Sequence, residues 1–234
     1  MIERTRPAGA TAAEEQRQSL PVWQESLLLL AIALVLAIAV KHFLVQAFYI
    51  PSPSMEPMFI KNDRILVQKV SYWGDKGPQR GDVVVFKDPA HWLPRIESRE
   101  VSNPVTRGLE AVGLYPSGGH LVKRVIGIGG DRVRCCDEKG RVTVNGKALD
   151  ESSYLPKGTV PSEESFDVRV PDGDLWVMGD NRQNSCDSRC HLDEPGRGFV
   201  PARLVVGKVW ALIWPWKRAT RVHAPATFRA VPAP

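Results

Sequence analysis

The chain has 234 residues, of which 43% are apolar and 24% charged, a composition typical of a globular protein with one sizeable core or two small ones. Its formal net charge is +5, but the 31 basic and 26 acidic residues are interspersed along the sequence. Because no basic cluster stands out, the charge pattern argues against a nucleic-acid-binding protein.

The four cysteines contain no CxxC spacing of the kind that zinc sites use, so the sequence predicts no metal site. A disulfide between the neighbours Cys135 and Cys136 would have to be strained, and we do not expect it. A bridge between Cys186 and Cys190, or cross-pairs between the two groups, both stay open.

The first predicted elements are a polar tail and a membrane anchor. Residues 1–25 have no apolar period that could build a core, and they are predicted to be a disordered tail. From Leu27 to Val40 every residue is apolar, and after two polar residues the apolar composition resumes as far as Ile50. A helix of this length would measure about 36 Å, at ~1.5 Å per residue, which is enough to cross a bilayer. We therefore predict a transmembrane anchor over residues 26–48.

A cleaved secretory signal is the alternative interpretation of this run. Its apolar core has a suitable length, and AIA at 37–39 or VQA at 45–47 resembles a cleavage site. An uncleaved anchor is favoured because the polar lead-in is too long for a signal peptide, and because apolar residues continue beyond Lys41. The numbers of basic residues on the two sides of the apolar run are nearly equal, so the positive-inside rule does not predict which side is cytoplasmic.

Residues 49–219 are predicted to form a β-rich domain. Short segments with a period of two alternate with Gly, Asp, Asn and Pro, which favours a mainly β fold with an antiparallel sheet. Asn145-Gly146 is a strong signal for a two-residue hairpin turn. The Trp-rich run near the C-terminus contains Lys208 and Pro215 and is predicted to be a buried strand rather than a second span. The predicted strands lie in segments 64–70, 81–89, 121–135, 141–149, 174–180 and 203–215.

Two further stretches show no apolar period. Residues from about 91 to 119 are predicted to be a long loop or insertion. Residues 220–234 are predicted to be a disordered, solvated C-terminal tail.

The sequence lacks the signatures of several familiar enzyme classes, since it contains no GxSxG, no HExxH and no Walker loop. It has five histidines, and none of those outside the apolar run lies in a motif, so a histidine base is not favoured. A lysine can act as the base instead if an apolar site makes it neutral.

The segment HLVKRVIG draws attention to Lys123. Alternation along a strand places Lys123 on the face of Leu121 and Val125, while Arg124 points to the opposite face. One of the two basic residues must therefore point towards the apolar core or a cleft. Taken alone, the pattern is still that of an ordinary edge or surface lysine.

Four motifs occur in order along the chain. PSPSMEPMF follows the apolar run, and RGDVVVFKDP, LVKRVIGIGGD and GDNRQNSCDSR come after it. Together they resemble the sequence boxes of the bacterial type I signal peptidases, the Ser-Lys proteases of the membrane surface, over residues 25–216. Without the other three motifs, the first would be interpreted as a Pro-rich linker.

The resemblance implies the catalytic residues. It assigns Ser54 as the nucleophile, Lys123 as the general base, and Ser52 as a side-chain donor to the oxyanion hole beside the Ser54 N–H. Ser185 is expected to orient the lysine. The family's structural acidic and basic positions near the site match Asp180, Arg182, Asp187 and Arg189. The residues expected to wall the shallow apolar substrate pockets are Ile50, Met55, Phe59 and Leu121.

The nucleophile loop departs from the family at Pro53, where glycine is usual, so this position can require neither a positive φ nor an N–H. Prolines 51, 53 and 57 restrict the loop and preorganise Ser54. Since Ser54 follows the apolar run by only four residues, we expect it close to the bilayer surface.

The resemblance implies a membrane-bound serine endopeptidase that cleaves N-terminal signal peptides from exported preproteins, without a cofactor or metal. Its expected partners are these signal peptides and the lipid bilayer, with no nucleic acid and a monomeric catalytic unit. The expected topology is a single pass of the cell membrane, with the N-terminus cytoplasmic and the catalytic domain extracytoplasmic, where disulfides are permissible.

Two alternatives stay open. One is a non-enzymatic anchored β-module that binds exported partners, in which Lys123 would lie exposed and more than about 6 Å from Ser54. The other keeps the Ser-Lys chemistry but acts on a different substrate.

Overall fold

The structure is a computed structural model that describes residues 21–74, 76–89, 92–93 and 119–234. Residues 1–20 of the predicted tail, and most of the predicted insertion, lie outside these described residues. The chain divides between Ala37 and Ile38 into two compact units.

The apolar run forms helix α1, Val22–Phe43. Within it, the stretch Val22–Val40 is long and apolar enough to cross a membrane, and none of it is buried inside the protein. A signal sequence near an N-terminus has the same properties. The choice between an uncleaved anchor and a cleaved signal therefore stays a prediction.

The helix ends earlier than the apolar composition suggests. The anchor was predicted over residues 26–48, but Val45–Tyr49 form strand β1, which pairs with strand β2, Arg64–Gln68, in antiparallel register. Phe48 of β1 is buried in an apolar cluster of the β domain. The predicted anchor is thus too long at its C-terminal end, because these apolar residues pack in a sheet.

The rest of the domain is built from two antiparallel sheets, which confirms the predicted mainly β fold. The remaining strands are β3 (Val83–Lys87), β4 (His120–Ile128), β5 (Arg132–Cys135), β6 (Thr143–Val144), β7 (Lys147–Ala148), β8 (Phe166–Arg169), β9 (Asp174–Met178), β10 (Val200–Pro201), β11 (Val205–Trp214) and β12 (Thr220–Arg221). The larger sheet has the order β1-β2-β11-β3-β4-β9-β10, with β12 paired to β11, and the smaller sheet has the order β7-β6-β5-β8.

Each of the six predicted strand segments contains at least one strand. The predicted hairpin is confirmed between β6 and β7, where Asn145 and Gly146 both adopt a positive φ, of 49° and 77°. The Trp-rich run is confirmed as β11, paired with β2 and β3, although Trp210 and Trp214 lie exposed.

The core contacts join the two sheets. Ile126 of β4 and Trp176 of β9 belong to the same buried cluster as Val133 of β5 and Val168 of β8. Strand β4 thus contributes Ile126 to this core cluster, and the same strand contains Lys123. Burial of this strand fixes the position of the lysine in the domain.

The C-terminal segment corrects a prediction, since residues 220–234 do not form a solvated tail. Strand β12 pairs with β11, and Phe228 and Val231 are buried in the cluster between the sheets. The Asn145 side-chain amide donates to the Pro232 carbonyl oxygen at 3.1 Å. The apolar residues of this segment are widely spaced and fill gaps in an existing core, which leaves no regular period in the sequence.

The cysteines correct a second expectation. The structure pairs Cys186 with Cys190, which the sequence left open, and it also pairs Cys135 with Cys136, which we did not expect. The peptide bond between these two neighbours is cis, and their Cα atoms are 3.0 Å apart. The expectation that two adjacent cysteines would not pair is therefore wrong.

Replacement of Phe228 by alanine tests whether the C-terminal segment is part of the core. We expect Phe228→Ala to lower the free energy of unfolding by about 3–5 kcal/mol, because it removes a buried aromatic ring and leaves a cavity. The measurement is urea unfolding of the full chain in detergent, followed by tryptophan fluorescence. The control Trp216→Ala removes an aromatic side chain that is 75% exposed and should change stability by less than about 0.5 kcal/mol. Equal stability of Phe228→Ala and the wild type would show that the segment is dispensable.

Candidate active site

Ser54 lies in the loop between β1 and β2 and is 7% exposed. Two hydrogen bonds from Asn181 hold this loop: its backbone N–H donates to the Ser54 carbonyl oxygen at 3.0 Å, and its side-chain amide donates to the Pro53 carbonyl oxygen at 3.2 Å. The prolines limit the conformations of the loop, and these contacts fix its place. Ser54 is therefore presented from a tethered backbone.

Lys123 reaches Ser54 from the middle of β4. Its Nζ lies 2.7 Å from Ser54 Oγ, and the residue is 4% exposed. The neighbouring Arg124 is also buried, so both basic side chains point into the protein. The sequence pattern predicted this for one of the two. Arg124 forms two hydrogen bonds with the carboxylate of Asp180, at 2.7 and 2.6 Å.

The environment of Lys123 raises the fraction of its amine that is neutral. The pKa of Lys123 is lowered to about 8, mainly by burial and also by the charge of Arg189, against the opposing effect of the carboxylates of Asp187 and Asp180. At pH 7, one unit below such a pKa, roughly one molecule in ten holds a neutral amine. For an unperturbed lysine that fraction would be roughly one in 10³.

Ser52 lies on the same loop as Ser54. The two hydroxyl oxygens are 3.2 Å apart. Within the described residues, the Ser54 N–H donates no hydrogen bond. The Ser52 hydroxyl and this N–H are thus two hydrogen-bond donors adjacent to the Ser54 hydroxyl.

The Ser185 hydroxyl, expected to orient the lysine, forms its hydrogen bond with Asp187. It donates to Asp187 Oδ2 at 2.8 Å, and the same oxygen accepts the backbone N–H of Gly179 at 2.9 Å. Asp187 is also bound by the Arg189 guanidinium at 2.8 Å. Burial alone would raise the pKa of Asp187, but hydrogen bonds from Arg189 and the charges of Arg189 and Lys123 hold it below its usual value. The ionised carboxylate is therefore the group that orients Ser185.

Arg182, expected as a structural position, forms a buried ion pair with Glu151. Its Nε donates to the Gly179 carbonyl oxygen at 2.9 Å, and its Nη1 donates to the Pro161 carbonyl oxygen at 2.8 Å. All four expected acidic and basic positions are buried near the loop that contains Ser185. Sequence reasoning missed Glu151, which pairs with Arg182, and Arg124, which pairs with Asp180.

Gly179 is a further residue that sequence reasoning missed, although it lies in the fourth motif. A Cβ atom at this position would lie 2.5 Å from the Ser54 carbonyl oxygen and closer still to the Ser185 hydroxyl. The absence of a side chain therefore lets the Ser54 loop and the Ser185 loop approach each other.

A groove of about 430 Å³ opens beside the pair. Ser54, Lys123 and Ser52 line it, together with three of the four residues expected to wall a substrate pocket, Ile50, Met55 and Leu121. The fourth, Phe59, does not line the groove, because its side chain is wholly buried in the apolar cluster under the loop. The lining residues that sequence reasoning missed include Phe48, Trp92, Leu93 and His120.

The comparison with known families identifies the chain. The family model described as "Signal peptidase, peptidase S26" matches residues 23–214. The chain belongs to this family. The family assignment makes the protein a hydrolase that cleaves peptide bonds.

Named relatives agree with the family assignment. A probable signal peptidase I of Mycobacterium leprae (strain TN) is 37% identical, with 93% of this chain and 84% of the relative covered. The signal peptidase I of Mycobacterium tuberculosis (strain CDC 1551 / Oshkosh) is 39% identical over 83% of this chain and 74% of the relative. A solved signal peptidase I from Enterococcus faecalis V583 is 24% identical, covers 58% of this chain and 99% of that one, and has a TM-score of 0.36, which is too low to carry an argument.

Substitution of Gly179 by alanine tests the close approach of the two loops in this peptidase. Gly179→Ala should lower peptidase activity at least 100-fold, because the new methyl group displaces both the Ser54 backbone and the Ser185 hydroxyl, and small misplacements at a reacting centre are costly. The measurement is kcat/KM on a peptide substrate. The control Gly196→Ala adds a methyl group whose nearest neighbour is 4.0 Å away, and it should keep wild-type activity. Full activity of Gly179→Ala would refute the packing described above.

Proposed function

We propose that this chain is a membrane-bound serine endopeptidase that removes N-terminal signal peptides from exported preproteins, with Ser54 as nucleophile and Lys123 as base. The observation that carries the proposal is the position of a buried lysine amine 2.7 Å from a serine hydroxyl, in the wall of an apolar groove. This distance lies within the hydrogen-bond reach that a general base requires.

In the first step, the neutral Lys123 amine takes the proton of Ser54 Oγ while the oxygen attacks the carbonyl carbon of the scissile bond. The carbonyl oxygen gains a negative charge in the tetrahedral intermediate. The Ser54 N–H and the Ser52 hydroxyl donate hydrogen bonds to that oxygen. The Lys123 ammonium then gives its proton to the leaving amine, which is the new N-terminus of the mature protein.

In the second step, Lys123 is neutral again and takes a proton from a water molecule that attacks the acyl-enzyme. The ester bond to Ser54 breaks while the Lys123 ammonium returns its proton to Ser54 Oγ, and the signal peptide leaves with a C-terminal carboxylate. No cofactor or metal enters this sequence of steps, since the chain's own groups move every proton. Ser185 acts indirectly, through its bond to Asp187, whose charge faces the lysine.

The groove and helix α1 support a signal peptide as the substrate. Apolar side chains such as Ile50, Met55 and Leu121 suit an extended apolar peptide segment. The apolar stretch Val22–Val40 suits an anchor in the cell membrane, with the catalytic domain on the extracytoplasmic side. The short stretch of sequence between α1 and Ser54 suits a substrate that is itself held in the bilayer.

A non-enzymatic binding module is the less favoured alternative. In such a protein Lys123 would be a solvated surface charge, distant from Ser54. The observed burial of Lys123 would penalise a charge that served no chemistry.

Single substitutions of the proposed pair test the function. Ser54→Ala and Lys123→Ala should each abolish cleavage of a preprotein, and the double variant should be no worse than either, because the two groups act as one unit. The measurement is incubation of the full chain in detergent with a purified preprotein, with the cut located by mass spectrometry.

The matched controls for this experiment are Ser153→Ala and Lys139→Ala, which change exposed residues of the same types. Both should cleave at the wild-type rate and at the same bond. Substantial cleavage by either variant of the proposed pair would sink the mechanism. A wild-type protein that cuts no signal peptide, but does cut other peptides, would sink the substrate assignment.

A further inference from the structure

Trp92 and Leu93 line the groove from outside the four sequence motifs. They follow β3, and the Asp88 carboxylate fixes their backbone by accepting the Trp92 N–H at 2.8 Å and the Leu93 N–H at 3.1 Å. A carboxylate that binds two successive amides sets the direction in which the two side chains leave the backbone. Their place in the groove wall is therefore built into the fold.

The Trp92 ring is held on two sides. It stacks on the imidazole of His191, with centroids 4.3 Å apart and planes 7° from parallel, and it meets the Phe86 ring edge-on at 6.1 Å. Aromatic pairs with these separations add to the stability that burial alone gives. A ring packed in this way cannot swing aside easily when a substrate enters.

His191 connects this wall to the loop that carries Ser185 and Asp187. Its side chain is buried, with Nε2 3.4 Å from the sulfur of Cys186 and Nδ1 2.8 Å from the Glu194 carboxylate. Cys186 itself lines the groove. The stack therefore joins the groove wall to the loop that orients the catalytic pair.

We propose that Trp92 determines specificity by limiting the size of the substrate side chains that the groove admits, and that His191 is a positioning residue that holds the Trp92 ring. This inference rests on the proposed function. The groove's 430 Å³ lies near the lower end of the ~300–1,000 Å³ range of ligand pockets. It must hold several residues of an extended peptide, so a rigid indole in its wall leaves space for small side chains alone.

The first test measures the side-chain preference of a Trp92→Ala variant. The probes are synthetic signal peptides that carry Ala, Val, Leu or Phe at the first or the third position before the scissile bond. Removal of the indole should raise kcat/KM for the Leu or Phe peptide, relative to the Ala peptide, at least 10-fold at one of these positions. A single methylene in an apolar pocket is already worth about 10- to 200-fold in discrimination. Trp92→Phe, which keeps a ring for the stack, should give an intermediate ratio and covers the case in which Trp92→Ala fails to fold.

The second test separates positioning from general stability. His191→Ala should relax the same preference, because the Trp92 ring loses its stacking partner, and His191→Phe should restore it, because a flat aromatic ring returns. A merely structural role would lower the rate for all peptides equally and would not respond to the aromatic replacement. A wild-type preference in His191→Ala would overturn the positioning role.

The control is Trp216→Ala, which removes an exposed tryptophan that does not line the groove and should keep the wild-type preference. An active Trp92→Ala enzyme with the wild-type ratio between peptides would overturn the specificity role. Failure of the proposed function would appear differently, as a wild-type protein that cuts none of the peptides.

Discussion

The site depends on the buried amine of Lys123, which has no carboxylate as an ion-pair partner among the described residues. Among the residues that the structure describes, Lys123 forms no ion pair, and its amine contacts the Ser54 hydroxyl instead. Burial then penalises the ammonium form, since the contact with the Ser54 hydroxyl replaces only part of its hydration. This one constraint turns an ordinary lysine into a candidate base.

The carboxylates near Lys123 are occupied by arginines. Asp180 binds Arg124, and Asp187 binds Arg189, in both cases with hydrogen bonds to two nitrogens of the guanidinium. Arginine stays charged in such places, whereas lysine is able to lose its proton. The arginines therefore neutralise the buried carboxylates, and the Lys123 amine remains able to lose its proton. Loss of one partner from such a pair would leave a buried charge uncompensated, which is strongly destabilising.

Two loops must meet for this arrangement to hold. Asn181 ties its own backbone to the Ser54 carbonyl, and Gly179 removes the side chain that would keep the loops apart. The Ser54 loop and the loop that carries Asp180, Ser185 and Asp187 are thus parts of one packed unit, although they lie more than 120 residues apart in sequence. Stiffness around Ser54 comes from its prolines, and its position comes from Asn181.

The sequence was sufficient for features that depend on local pattern. Period-two segments located eight of the strands but not β1, β8, β10 and β12. Asn145-Gly146 located the hairpin, and four ordered motifs located the residues around Ser54 and Lys123. The structure added the features that depend on contacts distant in sequence. Phe48 packs in an apolar cluster of the β domain and is not part of the membrane anchor, and Phe228 packs in the core between the two sheets. No local pattern distinguishes these roles.

Within the site, the same division holds. Of the residues chosen by sequence proximity as pocket walls, Ile50, Met55 and Leu121 line the groove, but Phe59 turns under the loop into the core. Ser185 was placed near the lysine by resemblance, yet its hydroxyl bonds to Asp187, which is two residues away in its own loop. The sequence did not predict Trp92 as a groove residue, because the segment from about 91 to 119 shows no apolar period.

The titration of Lys123 near pH 8 can be measured directly. The full chain, labelled with ¹³C-lysine and held in detergent micelles, is titrated by NMR, and the Lys123 signal is assigned by its absence from Lys123→Ala. Burial disfavours the ammonium form, so the amine should lose its proton as the pH rises through about 8. A midpoint near that of an unperturbed lysine, about 10.4, would mean that the amine is charged at working pH and would contradict the account.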